Sequence, residues 1–386
     1  MNNKDIFFKH LAPTSHQPVL IEVESAKGVI IKDTSGKEYY DLIAGIGVAT
    51  VGHNNEQLNK AIIAQLEKHA HVMVYGEYIQ SAVNNLAVKL SQLLPDQLSN
   101  SYFVNSGTEA NEGAVKLAKR ITDRHKIIAF KKGYHGNTQG SMSVSSNDSK
   151  KRPYRPLIPG VKFISFNNLD DLMFIDEDVA GVIIPNPGFL SALRERCTQV
   201  GTQLIFDEVQ TGIGRTGKMF AFEHFGVVPD IITLAKGLGG GMPIGAFISS
   251  YDNMQLLAKN PMLGHITTFG GNPVACASAK TVLDIVSEPA LMSNIEVKGQ
   301  LFDQQLAHPE VKSIRRIGLM LAIELENEEK VNKAIKLALE EGVIIYWFLS
   351  TRNAFRISPP LTITKEEIRR SCEILIKVFN KIQLPD

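Results

Sequence analysis

The middle of this chain is crossed by a series of short apolar runs, and that series constrains its fold more than any other feature. The runs are Ile127-Ile-Ala-Phe130, Val161-Lys-Phe-Ile164, Val179-Ala-Gly-Val-Ile-Ile184, Gln203-Leu-Ile-Phe206 and Ile231-Ile-Thr-Leu234. Each has the length of a strand, and most are apolar at successive positions rather than alternate ones, as expected of strands buried on both faces. Most are separated by enough chain for a crossover. The expected fold class is therefore α/β: a mostly parallel central sheet with helices on both faces, binding ligands at the carboxyl ends of its strands. Ser101-Tyr-Phe-Val104 is a further short strand, followed by a loop at Asn105-Ser-Gly-Thr108. A helix then carries Ala110, Ala114, Leu117 and Ala118 at helical spacing.

The flanks read differently. Val19-Leu-Ile-Glu-Val23, Val29-Ile-Ile-Lys32 and Glu38-Tyr-Tyr40 suit an antiparallel ribbon with a turn at Asp33-Thr-Ser-Gly36. The glycine-rich loop Gly45-Ile-Gly-Val-Ala-Thr-Val-Gly-His53 is only weak support for a nucleotide site, since no third glycine completes a fingerprint. Two amphipathic helices follow, one on Leu58, Ala61, Ile62 and Leu66, the other on Ala82, Val83, Leu86, Ala87, Leu90 and Leu93 and ending at Pro95. Beyond residue 290 the pattern becomes a smaller α+β unit. Residues 314–325 are strand-like, 330–341 helical, 343–349 and 354–358 strands, and 365–377 a closing amphipathic helix. The expected division is an N-terminal segment, 1–50, packing with the small domain; a large domain, 51–290; and a C-terminal small domain, 291–386.

Composition narrows the function classes. A net charge of +1 over 386 residues gives no electrostatic case for nucleic acid or an anionic membrane. The basic cluster Lys150-Lys151-Arg152-Pro-Tyr-Arg155 reads as a solvated loop. Three widely spaced cysteines, Cys197, Cys276 and Cys372, have no metal-ligand spacing and suggest a reducing compartment. Residues 1–17 lack an apolar core of signal-peptide length, and no apolar run approaches membrane-spanning length, so a cytoplasmic location is expected.

Three strand ends carry groups capable of chemistry. Ser106, Gly107 and Thr108 open a helix, where free backbone N–H groups can cradle a phosphate; an ordinary N-cap with Glu112 reaching back is the plainer reading. Asp207, at the end of Leu204-Ile-Phe206, could pair with a protonated ring nitrogen, hold a metal or cap a loop. Lys236 is delivered by an apolar run into the glycine-dense turn Lys-Gly-Leu-Gly-Gly-Gly241. It could be a snorkelling lysine, or a desolvated one whose neutral amine attacks a carbonyl to form a Schiff base. Together these groups supply what pyridoxal 5′-phosphate requires: a phosphate anchor, an acid on the pyridine nitrogen and an amine for the aldehyde. Tyr134 and His135 could offer a flat face to the ring. A competing nucleotidase reading rests on Asp207-Glu208 and on Gly212-Ile-Gly-Arg-Thr-Gly-Lys218, which has P-loop spacing. It fails on Met219, where a metal-binding hydroxyl should stand, and on the lack of a preceding strand.

Five ordered motifs resemble the class III pyridoxal-phosphate aminotransferases, nearest the acetylornithine and ornithine branch. They are Asn105-Ser-Gly-Thr-Glu-Ala-Asn-Glu112, Tyr134-His-Gly136, Phe206-Asp-Glu-Val-Gln-Thr-Gly-Ile-Gly-Arg-Thr-Gly217, Leu234-Ala-Lys-Gly-Leu-Gly-Gly-Gly241 and Thr267-Thr-Phe-Gly-Gly-Asn-Pro273. The resemblance implies the type I fold of pyridoxal-phosphate-dependent transferases and a homodimer with shared active sites. It implies that Lys236 is the Schiff-base lysine and proton carrier, with Asp207 on the pyridine nitrogen. It further implies that Ser106, Gly107 and Thr108 hold the phosphate, helped by Thr268 from the partner subunit. Tyr134 and Val209 would sandwich the ring, with Gln210 near its phenolic oxygen. Small-molecule amines and 2-oxo acids are the substrates expected, with 2-oxoglutarate or pyruvate as acceptor and 4-aminobutyrate or β-alanine as other possible donors.

Two departures bear on the substrate. Where relatives commonly place a carboxylate-binding arginine after the His-Gly pair, this chain has Asn137, which offers hydrogen bonds without charge. The Glu-Pro segment and Gly-Glu pair that usually follow the 179–184 strand are absent, replaced by Pro185-Asn-Pro-Gly188. Such a glutamate masks a second arginine in ornithine-type enzymes, so its loss also raises the alternative of a catalytically impaired member. Phe355-Arg356-Ile-Ser-Pro-Pro-Leu361 matches the family's C-terminal carboxylate-binding segment. Arg356 is thus the candidate for the oxo acid's α-carboxylate, against the alternative of an arginine paired structurally at the domain seam.

Overall fold

The computed structural model describes residues 2–15, 18–74, 76–184, 189–348 and 350–382. The shortened loop at 185–188 lies outside the described residues, as does Leu349. A seven-stranded sheet forms the centre. Its strands are β4 (Asn100–Val104), β5 (Lys126–Phe130), β6 (Val161–Ile164), β7 (Val179–Ile184), β8 (Gln203–Asp207), β9 (Ile231–Leu234) and β10 (Gly245–Ser249). Their spatial order is β4-β10-β9-β8-β7-β5-β6. Every pair from β9 to β6 is parallel, and β10 alone runs antiparallel, pairing with both β4 and β9. The sequence reading did not anticipate β10.

The apolar runs are explained by a sheet buried on both sides. Ile127, Ala129, Ala180, Ile183, Ile205 and Ile231 pack against one layer, where the Gly107–Thr122 helix lays down Ala110, Ala114, Leu117 and Ala118. The intervening residues Ile128, Phe130, Val182, Ile184, Leu204, Phe206, Ile232 and Leu234 belong to the larger core on the other face. That core takes in the helices Glu56–Leu66, Ser81–Leu93, Leu190–Val200 and Pro273–Val286. Each fully buried Leu or Ile stabilises the packed state by about 1.5–3 kcal/mol relative to exposure, and both faces of every central strand contribute.

The ribbon at the N-terminus begins later than its sequence suggests. β1 spans Val23–Lys27 rather than 19–23, because Leu20 adopts a left-handed φ of 56° that breaks an extended run. β1 pairs with β2 (Ile30–Asp33), and β2 with β3 (Glu38–Asp41). In the C-terminal unit, residues 314–325 are not one strand. They fold as the hairpin β11 (Ser313–Ile317) and β12 (Met320–Glu324), turning at Gly318 with φ 55°. The run from 343 is likewise split between two sheets. β13 (Val343–Ile344) joins the N-terminal ribbon in parallel beside β3, while β14 (Tyr346–Trp347) pairs with β15 (Ala354–Ile357). β15 in turn pairs with β12. The N-terminal ribbon and the C-terminal unit thus share backbone hydrogen bonds.

The basic cluster at 150–155 is not wholly solvated. Lys151 is buried, with its ammonium 4.4 Å from the centre of the Phe163 ring, and burial lowers its pKa below the usual lysine value. All three cysteines are buried and free; burial pushes each thiol up to about 12, which leaves them unreactive. Among the described residues no helix is long and apolar enough to cross a membrane, and no group of His, Cys, Asp or Glu could hold a metal ion.

Candidate active site

The parallel strands end on one edge of the sheet, and four of those ends converge. β4 leads into Ser106, β5 toward Tyr134 and His135, β8 ends on Asp207, and β9 leads into Lys236. Ser106 is the N-cap of the Gly107–Thr122 helix, its hydroxyl accepting from the Glu109 N–H at 3.3 Å. The carboxylate that reaches back is Glu109, which accepts from the Asn105 N–H at 2.6 Å. Glu112, expected in that role, instead accepts from the Gly140 and Ser141 N–H groups at 2.7 and 3.1 Å and ties down the loop after His135. Thr108 Oγ1 lies within hydrogen-bond distance of the Thr138 and Ser141 hydroxyls and accepts from the Asn137 N–H at 3.2 Å. Gly107 has to be a glycine for steric reasons: a Cβ there would sit 2.7 Å from Val209 Cγ1.

Asp207 is buried and densely hydrogen-bonded. Its Oδ2 is 2.7 Å from His135 Nδ1 and accepts from Asn111 Nδ2 at 2.9 Å, while Oδ1 accepts from the Val209 N–H at 3.0 Å. Burial alone would raise its pKa. The contact with His135, the Val209 N–H and the charge on Lys236 outweigh that effect and hold the carboxyl below its ordinary value. Asp207 therefore stays ionised in a dry setting.

The His135 ring is buried with its Nδ1 turned to Asp207, and its backbone N–H donates to Ser145 Oγ at 2.8 Å. Tyr134 is exposed beside it, and Val209 and Gln210 are half-buried just past Asp207.

Lys236 sits in the turn after β9 with φ 43°, an uncommon backbone setting for a residue with a side chain. Burial lowers its pKa below the usual lysine value; Asp207 opposes the shift and Arg356 adds to it. Asp207 and Arg356 therefore both act on this amine. Arg356 is buried on β15, and its Nε and Nη2 donate to the Trp347 carbonyl at 3.0 and 2.8 Å. Its guanidinium carbon is 5.1 Å from the centre of the Phe348 ring. Among the described residues Arg356 has no carboxylate within ion-pair distance, so the alternative of a structural ion pair finds no partner here. Asn137 and Thr268 are both exposed.

Sequence reasoning passed over Asn111 and Thr233. Asn111 donates to the His135 carbonyl at 2.7 Å as well as to Asp207, and its own oxygen accepts from the Thr233 hydroxyl at 2.7 Å. The signal was present: an asparagine beside Ala110, on the helix face that otherwise carries alanine and leucine, has to find partners inside. The P-loop look-alike at 212–218 follows Asp207 without a strand of its own, and its residues from Gly212 to Thr216 are buried, Gly214 against Leu361 and Met292 and Arg215 and Thr216 against Gly318 of the C-terminal unit.

The donor set fits pyridoxal phosphate. Asp207 is an ionised carboxylate with hydrogen-bond capacity left over, suited to a protonated pyridine nitrogen. Lys236 is an amine biased toward its neutral form, and the start of the Gly107–Thr122 helix offers free N–H groups for a phosphate.

Comparison with known proteins agrees. The family model described as aminotransferase class-III matches residues 11–379. An acetylornithine aminotransferase from Corynebacterium efficiens is 38% identical over 94% of this chain and 93% of its own. Among solved structures, the ornithine aminotransferase from Toxoplasma gondii, described with partial occupancy of PLP at its active site, superposes with a TM-score of 0.89. It is 28% identical and covers 98% of this chain and 94% of its own. The adenosylmethionine-8-amino-7-oxononanoate aminotransferase from Methanocaldococcus jannaschii superposes with a TM-score of 0.91 at 26% identity, covering 99% of each chain.

Proposed function

The chain belongs to the class III aminotransferases, and from that premise we propose that it moves a terminal amino group from an acetylornithine- or ornithine-like donor to 2-oxoglutarate. It is a pyridoxal-phosphate enzyme of the type I fold, acting on small amines and 2-oxo acids. The observation that carries the acceptor side is Arg356: a buried guanidinium without a carboxylate partner among the described residues, close enough to lower the Lys236 pKa. A buried cation of this kind is suited to the carboxylate of an oxo acid.

When bound, pyridoxal phosphate supplies an electron sink for the carbanion formed at the substrate carbon. The protein does the rest. Lys236 Nζ would hold the cofactor between turnovers, and would remove and return the proton at the reacting carbon. Asp207 keeps the ring nitrogen protonated, with His135 and Asn111 fixing the carboxylate that does so. Ser106, Gly107 and Thr108 anchor the phosphate. Tyr134 and Val209 would enclose the ring, and Gln210 would serve its phenolic oxygen.

Thr268 completes the phosphate site of a second copy in a homodimer. Support for that pairing comes from large apolar side chains left exposed in this chain: Ile79 is 92% and Met262 78% exposed, with Tyr78 and Phe269 also open to solvent. The functional division follows 1–50, 51–290 and 291–386, with the N-terminal segment serving the small domain through the β3–β13 pairing. A screen of separate half-reactions tests the assignment: acetylornithine, ornithine, 4-aminobutyrate and β-alanine as donors, 2-oxoglutarate and pyruvate as acceptors. Acetylornithine or ornithine with 2-oxoglutarate should give the highest kcat/KM, and a preference for another donor or for pyruvate would replace this pairing.

A further inference from the structure

Two buried cations lie outside the site described above, and both reach the same short turn. Arg215 is fully enclosed, and its Nη1 donates to the carbonyls of Leu319 and Pro359 at 3.1 and 2.5 Å. Its Nη2 has no partner among the described residues. Lys298, on the Pro289–Gln305 helix, is also buried, and its ammonium donates to the Leu361 carbonyl at 2.6 Å. Neither has a carboxylate within ion-pair distance among the described residues. Burying a charge without a counter-ion is costly, so such groups persist where their donors hold something in place.

What they hold is the turn at residues 359–361, three residues beyond Arg356 of β15. Backbone amides anchor this segment as well: the Ser358 N–H donates to the Leu42 carbonyl and the Leu361 N–H to the Thr50 carbonyl, each at 2.7 Å. Thr50 in turn touches the Lys236 turn, since a Cβ on Gly237 would lie 2.4 Å from its hydroxyl. Arg215 sits in the loop leaving Asp207, and its carbonyl accepts from the Leu319 N–H at 3.0 Å. Gly318 is pressed against that loop, where a Cβ would be 2.4 Å from the Thr216 carbonyl carbon. The strand carrying Arg356 is therefore fastened both to the Asp207 loop and, through Thr50, to the Lys236 turn.

We propose that Arg215 and Lys298 are positioning residues that set Arg356 at its working distance from Lys236 by gripping the 359–361 turn. They touch neither cofactor nor substrate in this role. The inference rests on the reading of Arg356 as the oxo-acid carboxylate site. Misplacing a binding group by about 1 Å costs up to about a hundredfold in a reaction it orients, and the loss should fall on the substrate that uses Arg356.

The test compares Arg215→Met, Arg215→Lys, Lys298→Met and Arg356→Ala in the cofactor-loaded enzyme. Three quantities are read: visible absorbance of the lysine-bound cofactor, calorimetric affinity for the unreactive dicarboxylate glutarate, and the two half-reactions separately. Arg215→Met should retain the absorbance and keep the amine half-reaction within about threefold, while weakening glutarate and raising the oxo-acid KM by about tenfold or more. Arg215→Lys and Lys298→Met, which each keep part of the grip, should show smaller shifts in the same direction. These two decide the matter if Arg215→Met fails to fold. Equal losses in both half-reactions, or unchanged glutarate affinity where Arg356→Ala weakens it, would overturn the positioning role. If Arg356→Ala itself leaves glutarate affinity intact, the assignment of the carboxylate site fails instead, and the positioning role with it.

Discussion

The two halves of the site are built on different principles. On the cofactor side, Asp207, His135, Asn111 and Thr233 form a closed hydrogen-bonded chain between strand ends and the helix they pack on, with every link between 2.7 and 2.9 Å. On the proposed substrate side, Arg356 is held by a single main-chain carbonyl, and Asn137 stands open to solvent. A rigid polar network keeps its geometry through the reaction, as a group that stabilises charge at one fixed place requires. An open rim with one buried cation suits the carboxylate of an oxo acid. On the proposed assignment, the first half would fix the chemistry and the second the choice of oxo acid.

The sharpest way to break this comparison is at the cofactor half. Lys236→Ala should lower transamination by about 10⁴-fold or more, because the proton carrier and the cofactor's attachment point disappear together. Single-turnover rates with either substrate measure it, and retained turnover would overturn the whole reading. Asp207→Asn should come next, at about a hundredfold to a thousandfold, because a neutral amide cannot keep the ring nitrogen protonated. Here the expectation is symmetrical: both half-reactions should fall together. A loss confined to one of them would mean that Asp207 serves a substrate rather than the cofactor.

Arg356→Ala should have the opposite signature. Removing one charged hydrogen-bonding partner costs about 1.5–3 kcal/mol, or about ten- to a hundredfold, and it should appear in the oxo-acid KM while the amine half-reaction changes little. An oxo-acid KM equal to that of the unaltered enzyme would remove Arg356 from the site.

The cofactor half was also the more legible in the sequence, for the same physical reason. Strands buried on both faces must be apolar throughout, so their ends could be counted and Ser106, Asp207 and Lys236 placed on a common edge. Asn111 was legible in principle, as a polar residue on an apolar helix face, but its partners come from β9 and from the loop after β5, and no local pattern identifies them. Elsewhere local signals were overridden by tertiary ones. Val343 and Tyr346 read as one strand because both are β-formers, yet pairing with β3 on one side and β15 on the other divides them. β10 escaped notice because a five-residue antiparallel insertion has no crossover to announce it. Lys151 looked solvated among its basic neighbours, and only the position of Phe163 shows where its ammonium goes.

The smallest expected effect lies at the seam between chemistry and scaffold, in the adjacent pair Asp207 and Glu208. Alternation sends these carboxylates to opposite sides of one strand end, and their environments move their pKa values in opposite directions. Asp207 is lowered, whereas burial pushes Glu208 up to about 7, although the Ala221 and Phe222 N–H groups donate to it at 2.7 and 2.8 Å. A carboxyl whose pKa is higher in the folded state than in the unfolded one binds its proton more tightly when folded. Its contribution to stability is complete below the ordinary value of 4.5 and is lost as pH rises through about 7. Glu208→Gln cannot titrate, and it gives up one of the two accepting oxygens, which lowers its stability by an amount that does not vary with pH. The stability advantage of the unaltered protein over this variant should therefore shrink between pH 5 and pH 8, by about 1–3 kcal/mol. Denaturant unfolding of the cofactor-saturated proteins at the two pH values measures that difference. Equal advantages at both would mean that Glu208 is ionised throughout, and that the two neighbouring acids differ in position but not in charge.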